Sequence, residues 1–187
     1  MNKYKYIVIG GSAGSFQVIS KIMEALPEDY PLTVILALHR LKHVRNGFVE
    51  ALSLKCKLPI TEPDDKETIH LGRVYLAPAN YHLYVEPAFY FALSTQSAVN
   101  HSRPSIDLTF KSAAYALKNK VIGIVLSGAN RDGAEGLKHI ENAGGLAIVQ
   151  NIYESQVKTM PASAKKATKS AIEMTTEEII KFLLNLK

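Results

Sequence analysis

A chain of 187 residues, 47% of them hydrophobic and 21% charged, has the composition of a globular protein and can bury a core without disulfide or metal staples. Its 22 Lys and Arg residues exceed its 17 Asp and Glu residues by five, and this modest excess is spread along the sequence. The charge therefore does not by itself predict binding to nucleic acid, and the single cysteine, Cys56, excludes an internal disulfide framework.

The apolar stretches of the sequence are too short for a membrane-spanning helix. The longest strongly apolar run covers only residues 34–38, and the N-terminus lacks the apolar core of a secretory signal. We therefore expect a cytoplasmic protein that makes no direct membrane insertion. Because no linker or repeat interrupts the pattern, we expect one domain over residues 1–187.

The first third of the chain alternates predicted strands and helices. Residues 4–9 form an apolar run that predicts a buried strand stopped by glycines, and apolar residues at helical spacing predict a helix over 16–26. A second apolar strand at 33–38 and a helix at about 44–54 follow. Continuous apolar strands joined by helices are typical of a parallel sheet with both faces covered.

The middle of the chain has a different pattern. Four short candidate strands are predicted at 57–62, 73–77, 82–86 and 89–93, and Pro87 favours a hairpin turn between the last two. This stretch therefore predicts an antiparallel β insertion.

Alternating helices and strands then continue to the C-terminus. Pro161 suits the first turn of a helix, and Thr175 and Glu178 have capping-box spacing before an amphipathic helix over 179–186. We expect an α/β fold with a doubly wound, mostly parallel sheet, helices on both faces and an antiparallel β-hairpin insertion. The remaining predicted elements are helices at 105–117 and 134–142 and strands at 121–126 and 146–150.

Three polar residues follow three of the predicted parallel strands, at the sheet edge where ligands bind in open α/β folds. Ser12 lies in a G-x-S-x-G segment between a strand and a helix, where small neighbours allow a sharp turn that exposes its hydroxyl. His39 can accept the serine proton, and Asp132 can bind the Nδ1–H of His39 and fix its tautomer. The pattern predicts a Ser-His-Asp hydrolase.

Each of these residues also has a purely structural interpretation. Ser12 can cap a helix or help to cradle a phosphate, and Asp132 can cap the following helix with Glu135 as its capping-box partner. His39 can be a surface residue, or a metal ligand with His43 one helical turn later. Metal is the weaker option because no acidic residue or cysteine lies close in sequence.

A dinucleotide site is a further alternative. The glycines at 10, 11 and 14 do not form G-x-G-x-x-G, and no acidic residue ends the second strand. Arg40 could still contact the 2′-phosphate of NADP, so an NADP-binding Rossmann-like protein stays open at this point.

Several segments together resemble the catalytic domain of the CheB family, the chemotaxis protein-glutamate methylesterases. The RPSID segment at 103–107 and the SGANRDGAEGL segment at 127–137 are the most specific of them, and the similarity covers nearly the whole chain. The other similar segments are 7–14, 38–39, 75–78 and 160–161.

The resemblance implies Ser12 as nucleophile, His39 as base and Asp132 as the residue that orients the base. It points to the Ala129 amide as an oxyanion donor, since the family uses the amide three residues before the aspartate; we expect an amide near Ala13 to assist. The implied substrate is a γ-glutamyl methyl ester on a cytoplasmic helix of a methylated chemoreceptor or similar signalling protein. Glutamine deamidation is an implied side activity, and no cofactor is expected.

Arg103 and Asp107 of the RPSID segment are expected either to contact substrate or to hold the loop beneath the site. The alternative is an ordinary helix start capped by Ser105.

The sequence departs from the family in two ways. A threonine that supports the histidine commonly follows the family's catalytic serine, and Ala13 cannot donate that hydrogen bond. Because the first predicted core strand begins at about Tyr4, we expect the family's usual receiver domain to be missing and expect no regulation by phosphorylation in cis. A non-catalytic adaptor for methylated receptors is therefore the alternative to a methylesterase.

Overall fold

The structure, a computed structural model, describes residues 3–40 and 47–186. In chain order its strands and helices are β1 (Tyr6–Gly11), α1 (Phe16–Ala25), β2 (Thr33–Leu38), α2 (Phe48–Ser53), β3 (Ile60–Thr61), β4 (Val74–Leu76), β5 (His82–Val85), β6 (Phe91–Ser94), α3 (Ile106–Leu117), β7 (Val121–Val125), α4 (Ala134–Asn142), β8 (Leu146–Gln150), α5 (Thr159–Ala167), β9 (Ile172–Met174) and α6 (Thr176–Leu184).

Seven strands form one parallel sheet in the order β3-β4-β2-β1-β7-β8-β9. Strand β1 lies between β2 and β7, and the register pairs Gly11 with Leu38 and Gly10 with Val125. The carboxyl ends of these three strands therefore lie side by side. The predicted α/β fold with a mostly parallel sheet is confirmed.

Helices cover both faces of the sheet, and successive residues of β1 alternate between two apolar clusters. Val8 packs in the cluster that contains Phe110 of α3, whereas Ile9 packs in the cluster that contains Ile19 of α1. Strands buried on both faces need apolar residues at every position, which explains the continuous apolar runs of β1 and β2.

Two glycines expected to stop the first strand belong to it instead. Strand β1 continues through Gly10 and Gly11, which pair with Ala37 and Leu38 of β2, and helix α3 packs against its end. A Cβ at Gly10 would lie 2.3 Å from Cγ2 of Ile106. Gly10 therefore permits the close approach of α3, whereas a Cβ at Gly11 would lie 2.6 Å from Oγ of Ser15, in the turn that follows the strand.

The middle of the chain divides between two sheets, which corrects part of the sequence prediction. Strands β3 and β4 join the parallel sheet, and only β5 and β6 pair as an antiparallel hairpin, with its turn at Pro87 and Ala88. The predicted strand at 57–62 shortens to β3, since Pro59 cannot donate a ladder hydrogen bond.

Two other differences concern short elements. Strand β9 is only three residues long and was missed. Of the helix predicted at 44–54, residues 48–53 form α2, and positions 44–46 lie outside the described residues. In the two described ranges, no helix combines the length and apolarity that crossing a bilayer requires.

Candidate active site

Ser12 occupies a tight turn between β1 and α1. Its carbonyl accepts hydrogen bonds from the Ser15 amide (3.0 Å) and hydroxyl (2.7 Å), and its own N–H donates to the carbonyl of Ser127 (2.9 Å). Gly14 has φ +81° in this turn, and a Cβ there would lie 2.7 Å from Cβ of Gln156. Small residues thus allow the sharp reversal that leaves Ser12 partly exposed.

His39 stands next to Ser12 at the end of the neighbouring strand. Because Gly11 pairs with Leu38, the two following residues lie on adjacent strands, which are about 4.8 Å apart in a sheet. The His39 amide continues the ladder by donating to the Gly11 carbonyl at 3.1 Å. No hydrogen bond joins the Ser12 hydroxyl to His39 among the residues described.

Ser12 and His39 line the same open cavity, whose volume is about 860 Å³. This volume is within the usual range for small-ligand sites. The residues that line it are Ser12, Ala13, His39, Arg40, Ala98, His101, Ser102, Arg103 and Asn130.

Asp132 is fully buried behind this cavity, and its carboxylate accepts five hydrogen bonds. Burial raises the pKa of Asp132, but the donors around it outweigh burial and hold the pKa below its ordinary value. The carboxylate is therefore ionised at neutral pH. Its donors are His39 Nε2 (2.8 Å) and Ile106 N (2.7 Å) at Oδ2, and Asn100 Nδ2, Ser105 Oγ and Asp107 N (each 3.0 Å) at Oδ1.

The ring nitrogen that binds Asp132 differs from the one expected. The expected partner of Asp132 is Nδ1 of His39, whereas in the structure Asp132 is hydrogen-bonded to Nε2. Asp132 follows β7 and His39 follows β2, and β1 lies between these two strands. The imidazole must therefore reach across the end of β1, which it does with Nε2, the ring nitrogen farther from the backbone. When Nε2–H donates to Asp132, Nδ1 of the neutral ring is left as the proton acceptor.

Asp132 caps α3, the helix that contains Asp107, and Asp107 caps α4, the helix that follows Asp132. Asp132 accepts hydrogen bonds from the first two amides of α3, and Asp107 Oδ1 accepts from the amides of Gly133 (3.0 Å) and Gly136 (2.7 Å) at the start of α4. Each carboxylate thus lies at the positive end of a helix dipole. Asp132 therefore caps α3, not α4 with Glu135; the N-cap of α4 is Gly133, at φ +93°.

The two RPSID residues predicted to serve substrate lie in different places. Arg103 lines the cavity, and its Nη1 donates to the carbonyls of Thr95 and Gln96 (2.9 Å to the latter). Asp107 is buried, lies outside that lining and holds the start of α4. Burial and the nearby charge of Asp132 raise the pKa of Asp107 despite its amide donors.

The amides predicted as oxyanion donors are both at the surface. The N–H groups of Ala13 and Ala129 have no hydrogen-bond partner within the described ranges, and both residues are exposed. Buried Ser127 links their two loops, since its hydroxyl donates to the Ala13 carbonyl at 2.7 Å and accepts from the Val157 amide at 2.9 Å. Ala13 lines the cavity, and Ala129 precedes Asn130, which also lines it.

Sequence reasoning missed one residue of this network, Asn100. Its Nδ2 donates both to Asp132 (3.0 Å) and to Asp107 (3.1 Å), and its backbone has φ +51°. Asn tolerates this left-handed conformation better than most residues. The loop has no periodicity that could single out Asn100, so only the tertiary structure reveals the contact.

The alternative ligands have little support at this site. In the part of the chain that the structure describes, no group of His, Cys, Asp or Glu could hold a metal ion, and His43 lies outside that part. Arg40, the candidate for an NADP phosphate, instead binds Glu62 Oε1 (2.5 Å) and the Ala77 carbonyl (2.9 Å), with its side chain 1% exposed.

Comparisons with known proteins agree with this architecture. Residues 7–183 match the family model described as CheB methylesterase. A putative protein-glutamate methylesterase/protein-glutamine glutaminase of Leptospira interrogans is 38% identical over 183 residues, covering 98% of this chain and 95% of the relative. A protein-glutamate methylesterase/protein-glutamine glutaminase of Methanospirillum hungatei is 35% identical over 97% of this chain, which spans 52% of that longer relative.

A solved structure is similar over nearly the full length. The crystal structure of the Thermotoga maritima CheB methylesterase catalytic domain superposes with a TM-score of 0.90 at 26% identity, covering 98% of this chain and 99% of that one. The chain therefore belongs to the CheB methylesterase family.

Proposed function

We propose that this protein is a protein-glutamate methylesterase that uses Ser12, His39 and Asp132 to hydrolyse glutamate methyl esters on methylated chemoreceptors or similar signalling proteins. The observation that carries the proposal is the ionised, buried Asp132 bound to His39, which shares a cavity with Ser12. The glutamate methyl ester is taken from the names of the relatives, and the receptor from the resemblance to the CheB family. A cytoplasmic location is part of the proposal, because the substrate helix is cytoplasmic.

The reaction begins with Ser12. Its Oγ attacks the ester carbonyl as Nδ1 of His39 takes the hydroxyl proton, after the side chains rotate into hydrogen-bonding distance. Asp132 stabilises the imidazolium through Nε2–H. The amides of Ala13 and Ala129 stabilise the negative charge on the carbonyl oxygen.

The leaving group and the product follow from the same residues. His39 returns its proton to the methoxide, methanol leaves, and water then attacks the acyl-enzyme with His39 again as base. The product is a glutamate carboxylate on the receptor. With a glutamine side chain the same steps release ammonia, which accounts for deamidation, and neither reaction needs a cofactor.

Methanol release from a methylated receptor tests this proposal. Ser12→Ala should lower the rate by about 10⁴-fold or more, because it removes the nucleophile while leaving the turn intact. Ser20→Ala, at a half-buried position of α1 outside the lining of the cavity, is the matched control and should leave the rate unchanged. Release by Ser12→Ala at the wild-type rate would refute the assignment.

The adaptor alternative has two observations in its favour. Ala13 stands where the family commonly has the threonine that supports the histidine, and Ser12 is not hydrogen-bonded to His39 within the described residues. If the protein is an adaptor, the wild-type protein will bind the methylated receptor but release no methanol. The same methanol-release assay therefore distinguishes the two functions.

A further inference from the structure

The side chains of fixed charge in the lining of the catalytic cavity are arginines. Among its described residues the lining contains two arginines, Arg40 and Arg103, and two histidines, His39 and His101, but no Asp or Glu. Asp132, which is hydrogen-bonded to His39, lies behind the cavity and is fully buried. A substrate that enters therefore meets positive charge on the walls and finds no carboxylate there.

The two arginines differ in how their charge is compensated. Arg40 forms an ion pair with Glu62 at 2.5 Å, and its side chain is 1% exposed. Arg103 has no ion-pair partner in the residues that the structure describes. The acceptors of its Nη1 are the neutral backbone carbonyls of Thr95 and Gln96, and its buried Nε has no hydrogen-bond partner.

The anchoring of Arg103 leaves its charge available to a ligand. Two carbonyls hold one end of the guanidinium, so the side chain is already ordered before substrate arrives. A planar guanidinium with free N–H groups matches a carboxylate and can bind it through two parallel hydrogen bonds. An ordered arginine loses little side-chain entropy on binding, which favours affinity.

We propose that Arg103 forms a carboxylate subsite beside Ser12, so that the protein prefers an esterified glutamate with an acidic residue one turn away on the same helix. The proposal rests on the proposed function, because it assumes that the reacting glutamate is on a helix. Residues three or four apart on a helix share one face, about 5–6 Å apart, so one cavity can receive both side chains. The cavity of about 860 Å³ has room beyond a single ester group.

The test pairs variants of the enzyme with variants of the substrate. Helical peptides carry one γ-methyl glutamate and a single Glu, or a matched Gln, three or four residues before or after it. Wild-type protein should give a kcat/KM for methanol release about tenfold higher with Glu than with Gln at one of these positions. Arg103→Met should abolish this preference.

Arg131→Met is the matched control, since Arg131 is an exposed arginine outside the lining of this cavity. Both variants lose one positive charge. If acidic peptides are attracted only by the overall charge, the preference for Glu over Gln will weaken equally in both. If Arg103 forms a subsite, Arg131→Met will keep that preference. If Arg103 only held its loop, Arg103→Met would lower kcat/KM equally for Glu and Gln peptides. That result, or no preference in wild-type protein, would overturn the inference.

Binding of the same peptides to Ser12→Ala protein separates this inference from the proposed function. A preference for Glu in binding that Arg103→Met removes supports the subsite, even if wild-type protein releases no methanol. Equal affinities for the Glu and Gln peptides would refute the subsite, even if wild-type protein releases methanol at a high rate.

Discussion

Replacing Asp132 with asparagine perturbs the buried hydrogen-bonding centre of the site with little change of shape. The amide NH₂ must take the place of one carboxylate oxygen. At Oδ1 it would face three donors, and at Oδ2 it would face His39 Nε2 and the Ile106 amide. We therefore expect the NH₂ at the Oδ2 position, where fewer donors lose their acceptor.

The size of the effect follows from those two donors. His39 can adapt by moving its proton to Nδ1, so that Nε2 accepts from the new NH₂, but the Ile106 amide is left buried and unpaired. Leaving one buried donor unpaired costs about 1–3 kcal/mol of stability. Losing the negative charge at the start of α3 costs at most about 2 kcal/mol more. We expect the free energy of unfolding to fall by about 1–5 kcal/mol, no more than the stability of a typical domain.

The same proton shift predicts the loss of activity. With its proton on Nδ1, His39 cannot accept the proton of Ser12, so kcat should fall by about 10⁴-fold, as expected for a triad histidine in the wrong tautomer. Urea denaturation and methanol release measure the two effects on one sample. The control is Asp64→Asn, at an exposed aspartate, which should change the stability by less than about 0.5 kcal/mol. An Asp132→Asn protein with wild-type stability and activity would refute the reasoning.

Three other perturbations test separate parts of the structure. Ser127→Ala removes the hydroxyl that donates to the Ala13 carbonyl. The kcat for methanol release should fall about 10- to 100-fold with KM little changed, because the oxyanion loop is no longer held in position. Ser127→Thr keeps a hydroxyl and should restore kcat. Failure of threonine to restore kcat would argue against this role. Gly136→Ala places a Cβ 2.5 Å from Cβ of Phe110, so urea denaturation should show a loss of about 1–3 kcal/mol; an unchanged midpoint would contradict the close packing of α3 and α4. The pKa of Asp132 is lowered by folding, so its ionised carboxylate stabilises the fold at pH values above 3.8, the ordinary pKa of aspartate. This contribution is lost as the pH falls from 3.8 through the lowered pKa of the folded protein. Unfolding free energies should therefore fall more steeply below pH 4 in wild-type protein than in Asp132→Asn, and parallel curves would exclude the effect.

Much of the fold follows from local patterns in the sequence. Strands β2 and β8 and helix α4 have the predicted bounds, because apolar runs and helical spacing mark them clearly. The pairing of the short central strands could not be predicted, since alternation of side chains is the same in parallel and antiparallel ladders. Strand β9, three residues at the edge of the sheet, is too short to leave a pattern.

The candidate site was predictable in part. Ser12, His39 and Asp132 follow the ends of parallel strands, and the topology brings those ends together. The choice of Nε2 over Nδ1 depends on which strand lies between His39 and Asp132, a property of the strand order. The exchange of caps between Asp132 and Asp107 depends on two helix starts meeting in space, which no spacing along the chain encodes.

The reactivity of Ser12 is the central claim, and covalent labelling measures it most directly. Treatment with a fluorophosphonate, followed by peptide mass spectrometry, should find one adduct, on the hydroxyl of Ser12. The adduct should be absent in Ser12→Ala and should form far more slowly in Asp132→Asn. Wild-type protein that stays unlabelled, or that is labelled at another serine while Ser12 remains unmodified, would contradict the account.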